Sequence, residues 1–301
     1  MCPVKPGPRP ERGEAVGMGY SARVLLDSVS PGGVRLVTME VRYPRFIHAE
    51  FMTHRMFSRN AGSSRALPIR KMIAAVRDEP AMPIYWGKNQ TGMSARSEVG
   101  PQARALAEAE WLRALDNALA SAERLSESDI DLHKQLVNRI LEPFAWITVI
   151  VTATEWTNFF TQRCHPDAQP EIKHLADVML AAFRSSAPSP IAAGEWHTPL
   201  VQDDERGLDL ELRKRLSVAR CARVSYLTHD GSRDHDKDLE LFTRLVAGGA
   251  NGHWSPFEHV ATPLDRADET LANLRGWKQY RKFFAVENAT TFPDAAAELT
   301  A

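Results

Sequence analysis

Apolar positions recur along this chain in two rhythms. Two Val- and Leu-rich runs, SARVLLDSVS and VRLVTMEVR, flank the turn signal Pro31-Gly32-Gly33 and predict a hairpin or two neighbouring strands. After Pro44, whose fixed φ suits a first helical turn, RFIHAEFMTHRMFSR carries apolar groups around most of a helical circumference. It predicts a buried helix over 45–59, followed by a loop rich in Ser, Gly and Asn. Strong helix formers at helical spacing over 101–126 predict a long helix, and IDLHKQLVNRILEP another, stopped by Pro143. WITVIVTAT is strand-like by β-branching, yet it runs without a turn into EWTNFFTQR, so strand and buried helix stay open. EIKHLADVMLAAFRSS is an amphipathic helix. SAPSPIAAGEWHTP is a linker or long surface crossing. The last third offers LSVARCARVSY, a helix DKDLELFTRLVAGG with a glycine stop, a turn GHWSPFEH and a closing helix around LANLRGWKQYRKFF. The mixture is α+β or α/β.

Composition narrows the class of function. The chain has 301 residues, 37 Lys plus Arg and 38 Asp plus Glu, for a net charge of -1. That balance lacks the basic excess of a protein that coats nucleic acid or an anionic membrane. No apolar run is long enough to span a bilayer, and the Pro-rich start has no signal-like core, so a cytoplasmic location is expected. Cys2, Cys164 and Cys221 are scattered, which points away from disulfides and a structural zinc.

The chemistry concentrates in three places. Thr53 to Arg65 holds His54, Arg55, Ser58, Arg59, Asn60, Ser63, Ser64 and Arg65. Arginines among hydroxyls suit an anion; a solvated helix end is the alternative. On a helix, His54 and Ser58 share one face. His253-Trp254-Ser255-Pro256-Phe257-Glu258-His259 matches no metal spacing and reads most simply as a capped turn. Arg139 and Arg163 lie on segments that read as buried, where an arginine needs an acidic partner or an anionic ligand.

Together these pieces resemble the flavin-dependent thymidylate synthases. Thr53-His54-Arg55 with Ser63, Asn60 and Arg65 in register looks like that family's Arg-His-Arg motif with its serine. LVNRILEP and EWTNFFTQRCHPDAQPEI are similar to further family segments, placing Asn158, Arg163, Gln169 and Glu171. ARVSY and HWSPFEH resemble two more, but these stand first in the family and last here. The chain therefore resembles a circularly permuted member: a tail over 1–17, motifs over 18–184, a suture over 185–200, and the remainder with an extra helix over 201–301. RGWKQYR is also similar to the helix that leads into the motif, so partial duplication is a rival history.

The resemblance implies an α+β fold with a central antiparallel or mixed sheet, a homotetramer, FAD, and NADPH and methylenetetrahydrofolate as co-substrates. The implied reaction moves a one-carbon unit to C5 of dUMP. It puts His54, Arg55, Asn158, Ser225, Ser255 and Glu258 on the flavin. Ser63, Arg65 and Arg139 fall on the nucleotide phosphate, and Arg163 on the pyrimidine edge with Glu50 near the base. Departures cluster there: Thr53 replaces an arginine, Glu50 a glutamine, Ala61 a glutamate and Ala66 a tyrosine, while Thr152 and Thr154 stand where Asn and Arg are common. Two cations near the cofactor phosphates are lost, with Arg59, Arg45 or Lys278 as replacements. The carboxylate of Glu50 also opens a cytidylate substrate, and the losses open a binding protein without turnover. A nucleic-acid protein using the KQYRK segment is a further alternative.

Overall fold

The computed structural model describes residues 14–17, 19–224 and 233–288. Its elements, in chain order, are β1 (Glu14–Gly17), β2 (Tyr20–Val29), β3 (Arg35–Pro44), α1 (His48–Met52) and β4 (Ser58–Ala61). Then come α2 (Ile69–Asp78), α3 (Pro101–Leu125), α4 (Lys134–Leu141), β5 (Trp146–Ala153), α5 (Thr157–Arg163), α6 (Pro170–Ser185) and β6 (Ser189–Pro190). The last third holds α7 (Leu210–Arg223), α8 (His235–Val246), β7 (Ala261–Pro263), β8 (Thr270–Leu271), β9 (Leu274–Arg275) and β10 (Trp277–Gln279). The architecture is the mixed α/β arrangement expected.

The main sheet runs β1-β2-β3-β5-β4, antiparallel throughout, with β6 adding a parallel pairing to β2. The Pro31-Gly32-Gly33 hairpin forms as expected, with Gly33 at φ 79°. β3 and β5 are central, and the side chains of Val37, Met39, Val41, Val149 and Val151 pack with α5 and α6 in the largest core. A second core joins α2, α3 and α4. A third joins α7, α8, the 3-10 turn Ser255–His259 and Tyr280.

Three expectations are corrected and one left open is settled. The helix over 45–59 is a 3-10 turn and one short α-helix, after which Ser58–Ala61 pairs with β5 as an edge strand. His54 and Ser58 therefore share no helix face. WITVIVTA is a strand, and the helix restarts at Thr157. The closing helix is absent: 270–279 forms β8, β9 and β10, so the similarity of RGWKQYR to a helix does not extend to its structure. The tail ends sooner than expected, because 14–17 already pairs with β2.

The suture is an exposed crossing up to Glu195, but its end is core. His197 is fully buried and exchanges backbone hydrogen bonds with Ala261. Its Nδ1 meets Ser28 Oγ and its Nε2 meets Thr38 Oγ1, both at 2.8 Å. Thr38 meets Thr152 at 2.6 Å, and Thr152 meets His259 Nδ1 at 2.8 Å. Burial, with His259 nearby, holds His197 at about 3, and burial alone holds His259 at about 3. Both rings are neutral at pH 7. Thr152, which departs from the family pattern, is thus a link in this buried chain.

Candidate active site

The motif segment is shaped by where its backbone bonds go. Thr53 Oγ1 and N both donate to Glu50 O, ending α1, and Phe57 N closes a further turn on His54 O. Arg59 Nη1 donates to Met52 O and His54 O, so this arginine clips the turn together. Beneath it Phe51, Phe57 and Phe159 form an aromatic floor, and the His54 ring stands edge-on to Phe159 at 4.8 Å.

Arg163, the last residue of α5, reaches this turn. Its Nε donates to His54 Nε2 at 2.9 Å and its Nη2 to Thr53 Oγ1 at 3.3 Å. Accepting at Nε2 requires an uncharged His54. Its pKa is brought down to about 4, first by burial and then by Arg163 and Arg59. The Nη1 end of Arg163 has no hydrogen bond among the described residues, so a fixed guanidinium keeps donors for a ligand. Thr53, which replaces the family arginine, here steadies Arg163.

His54, Arg55 and Asn158 line one cleft of about 380 Å³, with Thr53, Phe57 and Glu155. Arg55 is exposed and has no hydrogen bond or ion pair among the described residues. Asn158 Oδ1 accepts from Gln162 Nε2, which leaves the Asn158 amide N–H groups without a partner among the described residues. A neutral ring, a free cation and an amide over aromatic side chains fit part of a dinucleotide such as FAD: one ring system or its phosphates, not the whole molecule. Ser255 and Glu258 do not line this cleft. Ser255 Oγ donates to Asn60 Oδ1 at 3.3 Å, and Glu258 pairs with Arg281. Burial pushes the Glu258 carboxyl above its ordinary value against the pull of Arg281. Ser225 lies outside the described residues.

The residues expected on a phosphate meet elsewhere. Asn138, fully buried, donates to Ser64 O and Leu67 O, so α4 holds the loop that presents Ser63 and Arg65. Arg65 is exposed and unpaired among the described residues. Arg139 lines a second cleft of about 380 Å³ with Arg45, His48 and Glu142. It is exposed rather than buried, and its two contacts to Glu142 are long, at 3.4 Å. Glu142 also receives Arg45 at 3.0 Å and Ser64 Oγ at 2.5 Å. Three donors thus converge on one carboxylate. His48 Nδ1 meets Tyr43 OH at 2.8 Å, and burial with Arg45 and Arg59 lowers its pKa to about 4. The sequence reading missed Asn138, His48 and Glu142; the adjacency of Asn138 to Arg139 was the available signal. Arg139 lines this second cleft, whereas Arg163 stands beside the first through its bonds to His54 and Thr53.

Glu50 is half-buried, and its Oε2 is buried without a hydrogen-bond partner. A carboxylate oxygen in that state is costly and wants a donor. Gln169 and Glu171 face a third, larger cleft of about 1000 Å³ beside Phe46 and Trp111. No group of His, Cys, Asp and Glu among the described residues suits a metal, and no described helix is long and apolar enough to cross a membrane.

Residues 29–189, just over half the chain, match the family described as thymidylate synthase complementing protein. The chain belongs to this family. These are the flavin-dependent thymidylate synthases that the motifs resemble. The match covers the segment from Thr53 to Arg65, Arg139 and Arg163, and ends inside the exposed crossing, so ARVSY and HWSPFEH lie beyond it. Two solved structures are similar. One is a UMP/dUMP methylase PolB from Streptomyces cacaoi bound with 5-Br dUMP: 20% identity, TM-score 0.42, covering 50% of this chain and 66% of that one. The other is PolB bound with 5-Br UMP: 16% identity, TM-score 0.45, covering 55% and 88%. No curated protein matches the chain.

Proposed function

We propose that this protein is a flavin-dependent enzyme that transfers a one-carbon unit from methylenetetrahydrofolate to C5 of a pyrimidine deoxynucleotide, dUMP to dTMP in the first instance. The observation that carries it is the fixed, half-free guanidinium of Arg163, held by a neutral His54, inside a member of this family. Arg163 sits on the pyrimidine edge and stabilises negative charge on the ring as C5 becomes nucleophilic. Ser63, Arg65 and Arg139 hold the phosphate, with Arg139 leaving its long contacts to Glu142. His54, Arg55 and Asn158 hold the cofactor. FAD, when bound, supplies the reducing equivalents, with NADPH as its reductant. Arg139 lines one cleft while Arg163 stands beside another, which suits sites shared between copies, and a homotetramer is the proposed assembly. Ser255 and Glu258 serve here by fastening the late segment to β4, which supports a permuted order of segments.

One observation favours a second substrate. The orphaned Oε2 of Glu50 is an acceptor for the exocyclic amino group of cytosine, so dCMP is the alternative base. The test is direct. The purified protein is mixed with FAD and its visible spectrum recorded, then offered dUMP or dCMP with methylenetetrahydrofolate and NADPH, and the nucleotide is weighed by mass spectrometry. A colourless protein that takes up no FAD ends the reading. Bound FAD without any product leaves a binding protein instead.

A further inference from the structure

The cation missing at Thr154 has a counterpart from the far end of the chain. Arg275 closes β9; its backbone N–H donates to Thr154 Oγ1 at 3.1 Å, and its Nε donates to Glu155 Oε1 at 2.6 Å. Glu155 lines the same cleft as Arg55, His54 and Asn158. The hairpin that carries Arg275 is fixed on both sides. Leu274 and Trp277 are fully buried against Val34 and Leu36, and Trp277 Nε1 donates to Val34 O. Asn273 Nδ2 donates to Ser58 Oγ at 2.9 Å and to Met56 O. The backbone therefore sets where this guanidinium stands.

The ion pair itself is half-open to solvent, 46% exposed at Arg275 and 37% at Glu155. Such a pair adds little to folding. At the rim of a cleft it does something else: without Arg275, the carboxylate of Glu155 would repel an anion entering beside Arg55. We propose that Arg275 and Arg55 form a two-arginine clamp at this cleft for the diphosphate of a dinucleotide or nucleoside diphosphate. Glu155 parks Arg275 until a phosphate oxygen replaces it. Guanidinium suits the exchange because its donors are in a fixed fork that accepts carboxylate or phosphate alike. The clamp rests on the cofactor half of the proposal above only for the choice of FAD as a probe.

The test titrates the full-length protein with FAD by fluorescence quenching, and with ADP by calorimetry, each at low and moderate salt. Arg275→Gln weakens both ligands about tenfold, the size of one charge-assisted contact, and flattens the salt dependence. Glu155→Gln, which frees Arg275, tightens both several-fold. An affinity unchanged in Arg275→Gln, or lowered in both variants, means that the pair only braces the hairpin and overturns the clamp. So does a wild-type protein that binds neither ligand. Failure of the reaction is a separate result: absent product from dUMP and dCMP, with the affinity pattern intact, removes the methylation reading and leaves the clamp.

Discussion

Arg163 and His54 set one another's state. The ring accepts from the guanidinium, and the guanidinium keeps the ring uncharged. Burial is the larger cause of the low His54 value and Arg163 the next. Arg163→Ala is therefore expected to raise the His54 pKa from about 4 toward, but not to, the ordinary value near 6.5. Titration of the His54 ring by NMR reads this; a value that stays at about 4 would mean that Arg163 plays no part in setting it. The same variant is expected to lose turnover with FAD still bound, because His54, Arg55 and Asn158 remain on their cleft. Glu50→Gln restores the family amide, replacing an acceptor-only carboxylate with an uncharged group that both donates and accepts. It is expected to shift preference from dCMP toward dUMP, measured as the ratio of kcat/KM for the two nucleotides. A ratio that does not move removes Glu50 from base selection.

The elements explain which parts of this site were legible beforehand. The long α3 helix, α6 and the first hairpin follow from local spacing, and all form as expected. The segment 53–61 has helical spacing too, yet its end pairs with β5, because Asn60 and Ser58 find partners only there: Asn60 Nδ2 on Cys221 O, and Ser58 Oγ under Asn273 and Gln279. Those partners lie more than 160 residues away, so no local window contains them. The cluster of His54, Arg55, Arg163 and Asn158 was legible as chemistry, but Arg275 was not, since its segment reads as a helix. Its hairpin depends on Gly276, at φ 70°, where a Cβ would stand 2.8 Å from Val34 Cγ2 and 3.0 Å from Ala267 O. Gly276→Ala is expected to cost about 1–3 kcal/mol from strain and close contact, read as a lower denaturant midpoint. FAD affinity is expected to fall with it as Arg275 moves. Unchanged stability would show that the turn relaxes freely.

Across the whole molecule, the buried chain Ser28–His197–Thr38–Thr152–His259 ties the suture and the last third to the central strands. The unfolded chain binds protons at these two histidines below about pH 6.5, while the native state refuses them until about pH 3. Stability is thus untouched by them above pH 6.5 and declines as the pH falls through that window, by at most roughly 5 kcal/mol per histidine. Urea midpoints from pH 7 to 4 test this, and a His197→Asn, His259→Gln double variant should lose that part of the slope. Assembly makes the last demand. Arg139 lines one cleft and Arg163 stands beside another, and the proposed tetramer has a nucleotide touch Arg139 of one copy and Arg163 of the next. Arg139→Ala and Arg163→Ala proteins, each inactive, are then expected to regain activity when unfolded together and refolded as a mixture. Random mixing leaves about a quarter of sites with an intact Arg139 from one copy and an intact Arg163 from its neighbour. Native mass spectrometry confirms that mixed oligomers form. If they form and no activity returns, the two arginines do not meet one nucleotide from different copies, and the shared site is removed.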